Sequence, residues 1–150
     1  MVGLCNALLP NADCYRMIAN LNLIAQLAMI VGLWTGFYFA RTKQIDKHMN
    51  MQTTVVIANI FFIAFIMLAN FSAFMKPSGS LVSQLAMIHG ALGLIAEIIG
   101  IYLVLRMRTN WIPKNLRVKN FKLVMRTTIG LWTLIIALGL GIYYLGYVSA

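Results

Sequence analysis

Four long apolar stretches occupy most of the 150 residues of this chain, and they fix the solvent in which it folds. Residues 18–40, 51–75, 82–105 and 127–148 each supply the roughly 20 mostly apolar residues that a helix needs to cross a bilayer. In hydrocarbon the backbone N–H and C=O groups must be satisfied without water, which for a single span means an α-helix. The pattern predicts an all-α fold, an integral membrane four-helix bundle that forms one domain over residues 1–150. The connections at 41–50, 76–81 and 106–126 leave no room for a separate soluble domain, so any chemistry lies within the membrane or at its surfaces.

A net charge of +9 would point to nucleic acid in a soluble protein, but here position decides its meaning. Arg41, Lys43 and Lys47 lie between spans 1 and 2. Arg106, Arg108, Lys114, Arg117, Lys119, Lys122 and Arg126 lie between spans 3 and 4, so ten of the twelve basic residues share one side. The opposite side holds Arg16 and Lys76. By the positive-inside rule the basic loops are cytoplasmic and both termini extracytoplasmic, in a cell membrane crossed four times. Anionic lipid headgroups, rather than nucleic acid, are the expected partners of this charge. The connection "RMRTNWIPKNLRVKNFKLVMR" reads as a lipid anchor through Arg106, Arg108, Trp111, Lys114, Arg117, Lys119 and Lys122. Trp111 sits at headgroup level, Pro113 interrupts the helix, and the last turns are expected to run on into span 4.

The head "MVGLCNALLPNADCYR" has no basic region followed by an apolar core of the usual length, so no cleavable signal peptide is expected. It places Cys5 and Cys14 on the predicted outer side, with Pro10 and Asn11 between them to favour a turn. A disulfide in an oxidising compartment, two free thiols, and thiols sharing a metal with a partner subunit all remain open readings. Two cysteines alone cannot complete a zinc or copper site, so no metal is predicted.

Small residues recur at helical spacing. Ala28, Gly32, Gly36 and Ala40 lie four apart in span 1, a GxxxG stripe that allows close backbone approach. Ala96 and Gly100 repeat the pattern in span 3, and Ala137 and Gly141 in span 4. These are candidate helix-packing surfaces, for one another or for a partner subunit, although small residues also face lipid.

Polar side chains at membrane depth cost free energy unless paired or wetted. In span 3, His89, Gly93, Glu97 and Gly100 fall on one helix face. Counting depth along antiparallel helices puts Asn22, Gln26 and Asn70 near the level of His89, and Asn59 and Thr133 near Glu97. A two-layer intramembrane polar network is expected. Its plainest role is interhelical hydrogen bonding with Glu97 neutral; a proton relay, a heme or quinone site, and contact with a neighbouring subunit are the functional readings. A b-type heme held by both histidines is excluded, because His48 opens span 2 at one edge and His89 lies toward the other, about 20 Å apart by helix rise. A His–Met site stays formally open, with His89 as the cofactor-binding candidate. No Ser-His-Asp set, HExxH, phosphate loop or CxxC is present. Asp13 and Asp46 lie outside the core on opposite sides, so no carboxylate pair can form with Glu97. No catalytic residues are assigned.

The run "GFYFARTKQIDKHMNMQ" resembles a family of small four-helix bacterial and archaeal membrane proteins of largely unknown function. The segments "HGALGLIAEIIGIY" and "FKLVMRTTIGLWTLIIALGLGIYYLGY" are similar too, so the resemblance covers about residues 20–148. Some members of that family are linked to assembly of heme-copper terminal oxidases. His48 and His89 match, whereas the further histidines of such members, near the end of span 2 and before span 4, have no counterpart in "NFSAFMK" and "VKNFKLVMR". The resemblance implies a respiratory or redox context and no catalytic step.

Two function classes follow. The first is a non-catalytic accessory subunit or assembly factor of a larger membrane redox or metalloenzyme complex, without a cofactor of its own, whose partners are other membrane subunits. The alternative is a b-type heme- or quinone-binding electron or proton carrier using His89 and Glu97. Internal repeats would favour a transporter, and the two halves show no convincing similarity.

Overall fold

The computed structural model describes residues 12–67 and 81–148, and four helices in it are long and apolar enough to cross a membrane. They are α1 (Ala12–Arg41), α2 (Ile45–Phe62, continued by a π-turn at Ile63–Met67), α3 (Leu81–Arg108) and α4 (Phe121–Tyr143, continued by a π-turn at Tyr144–Val148). Among the described residues there is no strand. The helices pack in a ring, α1 on α2 and α4, and α3 on α2 and α4.

Every described helix end on the basic side extends beyond its apolar stretch. α2 begins at Ile45 rather than near residue 51, and α4 at Phe121 rather than near 127. Hydropathy marks what lies in hydrocarbon, whereas the helix continues wherever backbone hydrogen bonds and packing sustain it. The α1–α2 connection is correspondingly tight. Gln44 N–H donates to the Phe39 carbonyl (2.9 Å) and Lys43 N–H to the Ala40 carbonyl (3.3 Å), with Lys43 at φ 61°. This is the Schellman closure of a helix, with lysine in the left-handed position that glycine usually occupies.

The two basic connections meet at one end of the bundle. Arg108, at the end of α3, donates to Thr53 Oγ1 (3.2 Å) and Asn50 Oδ1 of α2. Tyr102 fastens the α3–α4 connection, since its hydroxyl donates to the Leu116 carbonyl (3.0 Å) and accepts from Val118 N–H (3.1 Å). Arg106 adds a bond to the Val118 carbonyl (2.7 Å) and lies 4.4 Å from the Phe121 ring centroid. Trp111 and Lys114 through Asn120 remain exposed, Trp111 at 83%. At the opposite end Tyr143 of α4 donates to Asn20 of α1.

The core lies midway along the helices and is formed by Met29 and Leu33 of α1, Val55 and Val56 of α2, Ala96 of α3, and Trp132 and Ile135 of α4. Large apolar residues such as Val31, Phe61, Ile98 and Leu134 point outward. In water such a surface would be an aggregation hazard, and in a bilayer it is the lipid-facing coat.

Candidate functional site

The span 1 glycine stripe shapes a polar seam between α1 and α2. A Cβ on Gly32 would stand 2.8 Å from Val55 Cγ2, and one on Gly36 would stand 2.6 Å from Gln52 Nε2. The absent side chains bring α2 close enough to reach the backbone of α1. His48 Nδ1 lies 2.7 Å from the Gly36 carbonyl, and Gln52 Nε2 donates to the Leu33 carbonyl at 3.2 Å. Since a carbonyl only accepts, Nδ1 carries the ring proton in the neutral imidazole. His48 is 2% exposed, and its Nε2 is buried without a partner. Depth counting treated His48 as an edge residue; the signal that could have revealed the seam is His48 and Gln52 at i and i+4, opposite Gly32 and Gly36 at the same spacing. Ala28, by contrast, is exposed.

Near mid-depth Asn59 Nδ2 of α2 donates to Glu97 Oε2 of α3 at 2.6 Å. Glu97 is buried, and its Oε1 has no partner. Thr133, placed at the same level by depth counting, instead donates to Ile129 O of its own helix at 2.8 Å. Ala96 is fully buried, and Gly100 accommodates Val56 and Trp132 within 3.4 Å of where its Cβ would be. Ala137 and Gly141 lie on the outer face of α4, and nothing stands within 4 Å of a Cβ on Gly141.

Two cavities flank Trp132. The smaller, of about 30 Å³, lies toward the basic end and is lined by His48, Gln52, Met107, Met125, Thr128 and Trp132 among others. The larger, of about 500 Å³, lies toward the other end. Gln26 of α1, Asn59 of α2 and His89 of α3 contribute its polar wall, and Met29, Met87, Ile135 and Ile136 are among its apolar residues. Gly90 and Gly93 form part of the α3 wall, and a Cβ on either would meet nothing within 4 Å. The His89 ring lies against α4 where Gly139 leaves room for it, and its Nδ1 is buried without a partner. The Asn22 Oδ1 atom is likewise buried and unpartnered.

The two histidines therefore line different cavities on either side of Trp132, an arrangement that cannot clamp one heme between them. No group of three or more His, Cys, Asp or Glu side chains converges among the described residues. Cys5 and Asn70 lie outside the described residues, and Cys14 outside those whose side chains are described. Comparisons of the chain with family models, curated proteins and solved structures find no match.

Proposed function

We propose that this chain is a non-catalytic accessory subunit or assembly factor of a larger membrane redox or metalloenzyme complex. The observation that carries the reading is how the intramembrane polar groups are used. Asn59 is spent on Glu97, His48 and Gln52 on carbonyls of α1, and Thr128 and Thr133 on their own helix. The Asn59, His48 and Gln52 bonds hold neighbouring helices together, as suits a scaffold better than a reaction centre. The outer face of α4 supports the same reading. Gly130, Ala137 and Gly141 form a smooth exposed surface on which a second helix can pack closely. The resemblance noted above supplies the respiratory context.

In this reading the chain lies in a prokaryotic cell membrane with its basic end cytoplasmic and its termini outside. The exposed Lys114, Arg117, Lys119, Lys122 and Arg126 engage anionic headgroups around Trp111. The test is gentle solubilisation of the native membrane followed by size separation, visible absorbance and mass spectrometry. Co-migration with subunits of a metalloenzyme is the expected result. Migration of the chain alone, with a reducible heme band of its own, overturns the proposal.

A further inference from the structure

Helix register brings three soft donors to one level at the basic end. Gly100 of α3, Val56 of α2 and Trp132 of α4 meet, since a Cβ on Gly100 would stand 3.3 Å from Val56 Cγ2 and 3.4 Å from Trp132 Cζ2. Toward the basic end from there, Met107 lies seven residues along α3, Met125 seven along α4 and His48 eight along α2. All three are therefore displaced by about 10–12 Å, and seven residues, close to two turns, return both methionines to the inward face of their helices. Burial of His48 shows that it faces inward too. Arg108, which reaches Asn50 and Thr53, gives the same register between α3 and α2. His48, Met107 and Met125 accordingly line one cavity, the smaller one of about 30 Å³.

His48 is oriented as a ligand would be. Its Nδ1–H is donated to the Gly36 carbonyl, which fixes the tautomer and the ring as outer-shell partners do for metal-bound histidines. Nε2 then carries the lone pair of the neutral imidazole, and it is buried without a partner. Side chains close over it, and methionine, unbranched with three rotatable bonds, can bring its sulfur to bear. The volume suits a single ion and excludes an organic molecule. The wall contains no carboxylate or thiolate. Its side-chain oxygens are those of Gln52 and Thr128, too few for calcium or magnesium, which take about six or more. An uncharged wall also makes a divalent ion costlier to bury than a monovalent one. Thioether donors beside an imidazole select copper(I).

We propose that His48 Nε2 and the sulfur atoms of Met107 and Met125 form a buried site for one copper(I) ion at the basic end of the bundle. The site is built from α2, α3 and α4 of this chain alone, so it goes beyond the accessory-subunit reading and stands or falls apart from it.

The test uses the full chain in lipid nanodiscs, with Cys5 and Cys14 replaced by serine so that no thiolate competes. Copper(I), kept reduced by ascorbate under argon, is offered in competition with bicinchoninate and read from the absorbance of that complex. One copper(I) per chain is the expected result. Losing an outer-shell partner alone weakens a metal site by about tenfold or more, so Met107→Leu and Met125→Leu, each removing a ligand, should each weaken binding at least that far. Both changes nearly conserve volume, and the variants should stay monodisperse. Met87→Leu, in the other cavity, should leave binding unchanged. In the parent protein, one equivalent of silver(I), a redox-inert analogue, should shift the methyl resonances of Met107 and Met125 and leave those of Met17 and Met87 in place. Absence of binding would overturn the proposal and leave the cavity to water. Unchanged affinity in both leucine variants, or shifts spread over other methionines, would show adventitious thioether binding and overturn it too. Equal competition by zinc(II) would remove the soft-ion class, with the same consequence.

Discussion

Toward the basic end, Gly32 and Gly36 bring α1 so near α2 that His48 and Gln52 reach backbone carbonyls across the gap. Toward the other end, Gly90 and Gly93 open onto a cavity of about 500 Å³. Glycine thus serves opposite purposes within one bundle. On α1 it permits contact, and on α3 it keeps space clear. The difference lies in what stands opposite, a β-branched Val55 and a long Gln52 in one case, and in the other no heavy atom within van der Waals reach.

The comparison is broken most directly by adding one methyl group to each half. Gly32→Ala forces Val55, whose branched side chain has little freedom, out of its place, and should cost about 1–3 kcal/mol. Gly93→Ala meets open space and removes a flexible residue from a helix, so it should be neutral or stabilising by up to about 1 kcal/mol. Unfolding by SDS titration from mixed micelles measures both. Equal losses would show that the two glycine faces do not differ as described.

The next largest effect tests the joint between the halves. Glu97→Leu leaves the Asn59 amide without its partner and should cost about 1–2 kcal/mol in the same titration, the upper part of the range for interhelical hydrogen bonds in membranes. Glu97→Gln keeps a carbonyl that can accept from Asn59 and should lose less than half as much. A Leu variant as stable as the parent would mean that the pair does not hold α2 to α3.

The four helices were legible because hydrocarbon permits few alternatives: a long apolar run must satisfy its own backbone. Depth counting along antiparallel helices puts Asn59 level with Glu97, and the two meet. The same counting cannot tell which way a side chain turns, and Thr133 at that level bonds to its own helix. His48 was harder to read. It sits among Asp46, Lys47 and Asn50, so its surroundings in sequence are those of an interface, while rotation of α2 directs it into the bundle at 2% exposure. The cavity had no sequence signature at all, because empty space depends on which faces of four helices converge. His89 and Gly93, on one face of α3, gave only part of the cavity wall.

A smaller effect sharpens the closed end. Arg108→Ala removes the bonds from α3 to Thr53 and Asn50 on α2. These groups are at the surface, where water replaces a lost partner, so the expected loss is about 0.5–1 kcal/mol. The connection as a whole should stay in place, because Tyr102 and Arg106 fasten it independently at Leu116 and Val118. Trypsin cleavage at Arg117 or Lys119 that accelerates more than a few-fold in this variant would show that Arg108 carries the connection and that Tyr102 does not.

The smallest effect concerns the turn that sets the register of α1 against α2. Lys43 holds φ 61°, a conformation that costs a side-chain-bearing residue roughly 1–2 kcal/mol and glycine almost nothing. Lys43→Gly recovers most of that strain but adds flexibility to the unfolded chain, so the net gain should be about 0.5 kcal/mol. The Gln44 and Lys43 backbone bonds to Phe39 and Ala40 involve no side chain and survive the change. The His48 and Gln52 contacts, fixed by the same register, should therefore persist, and SDS titration should show a small stabilisation. A measurable loss would mean that the Lys43 ammonium contributes more at the membrane surface than its backbone strain costs, and would place electrostatics above turn geometry at this end of the bundle.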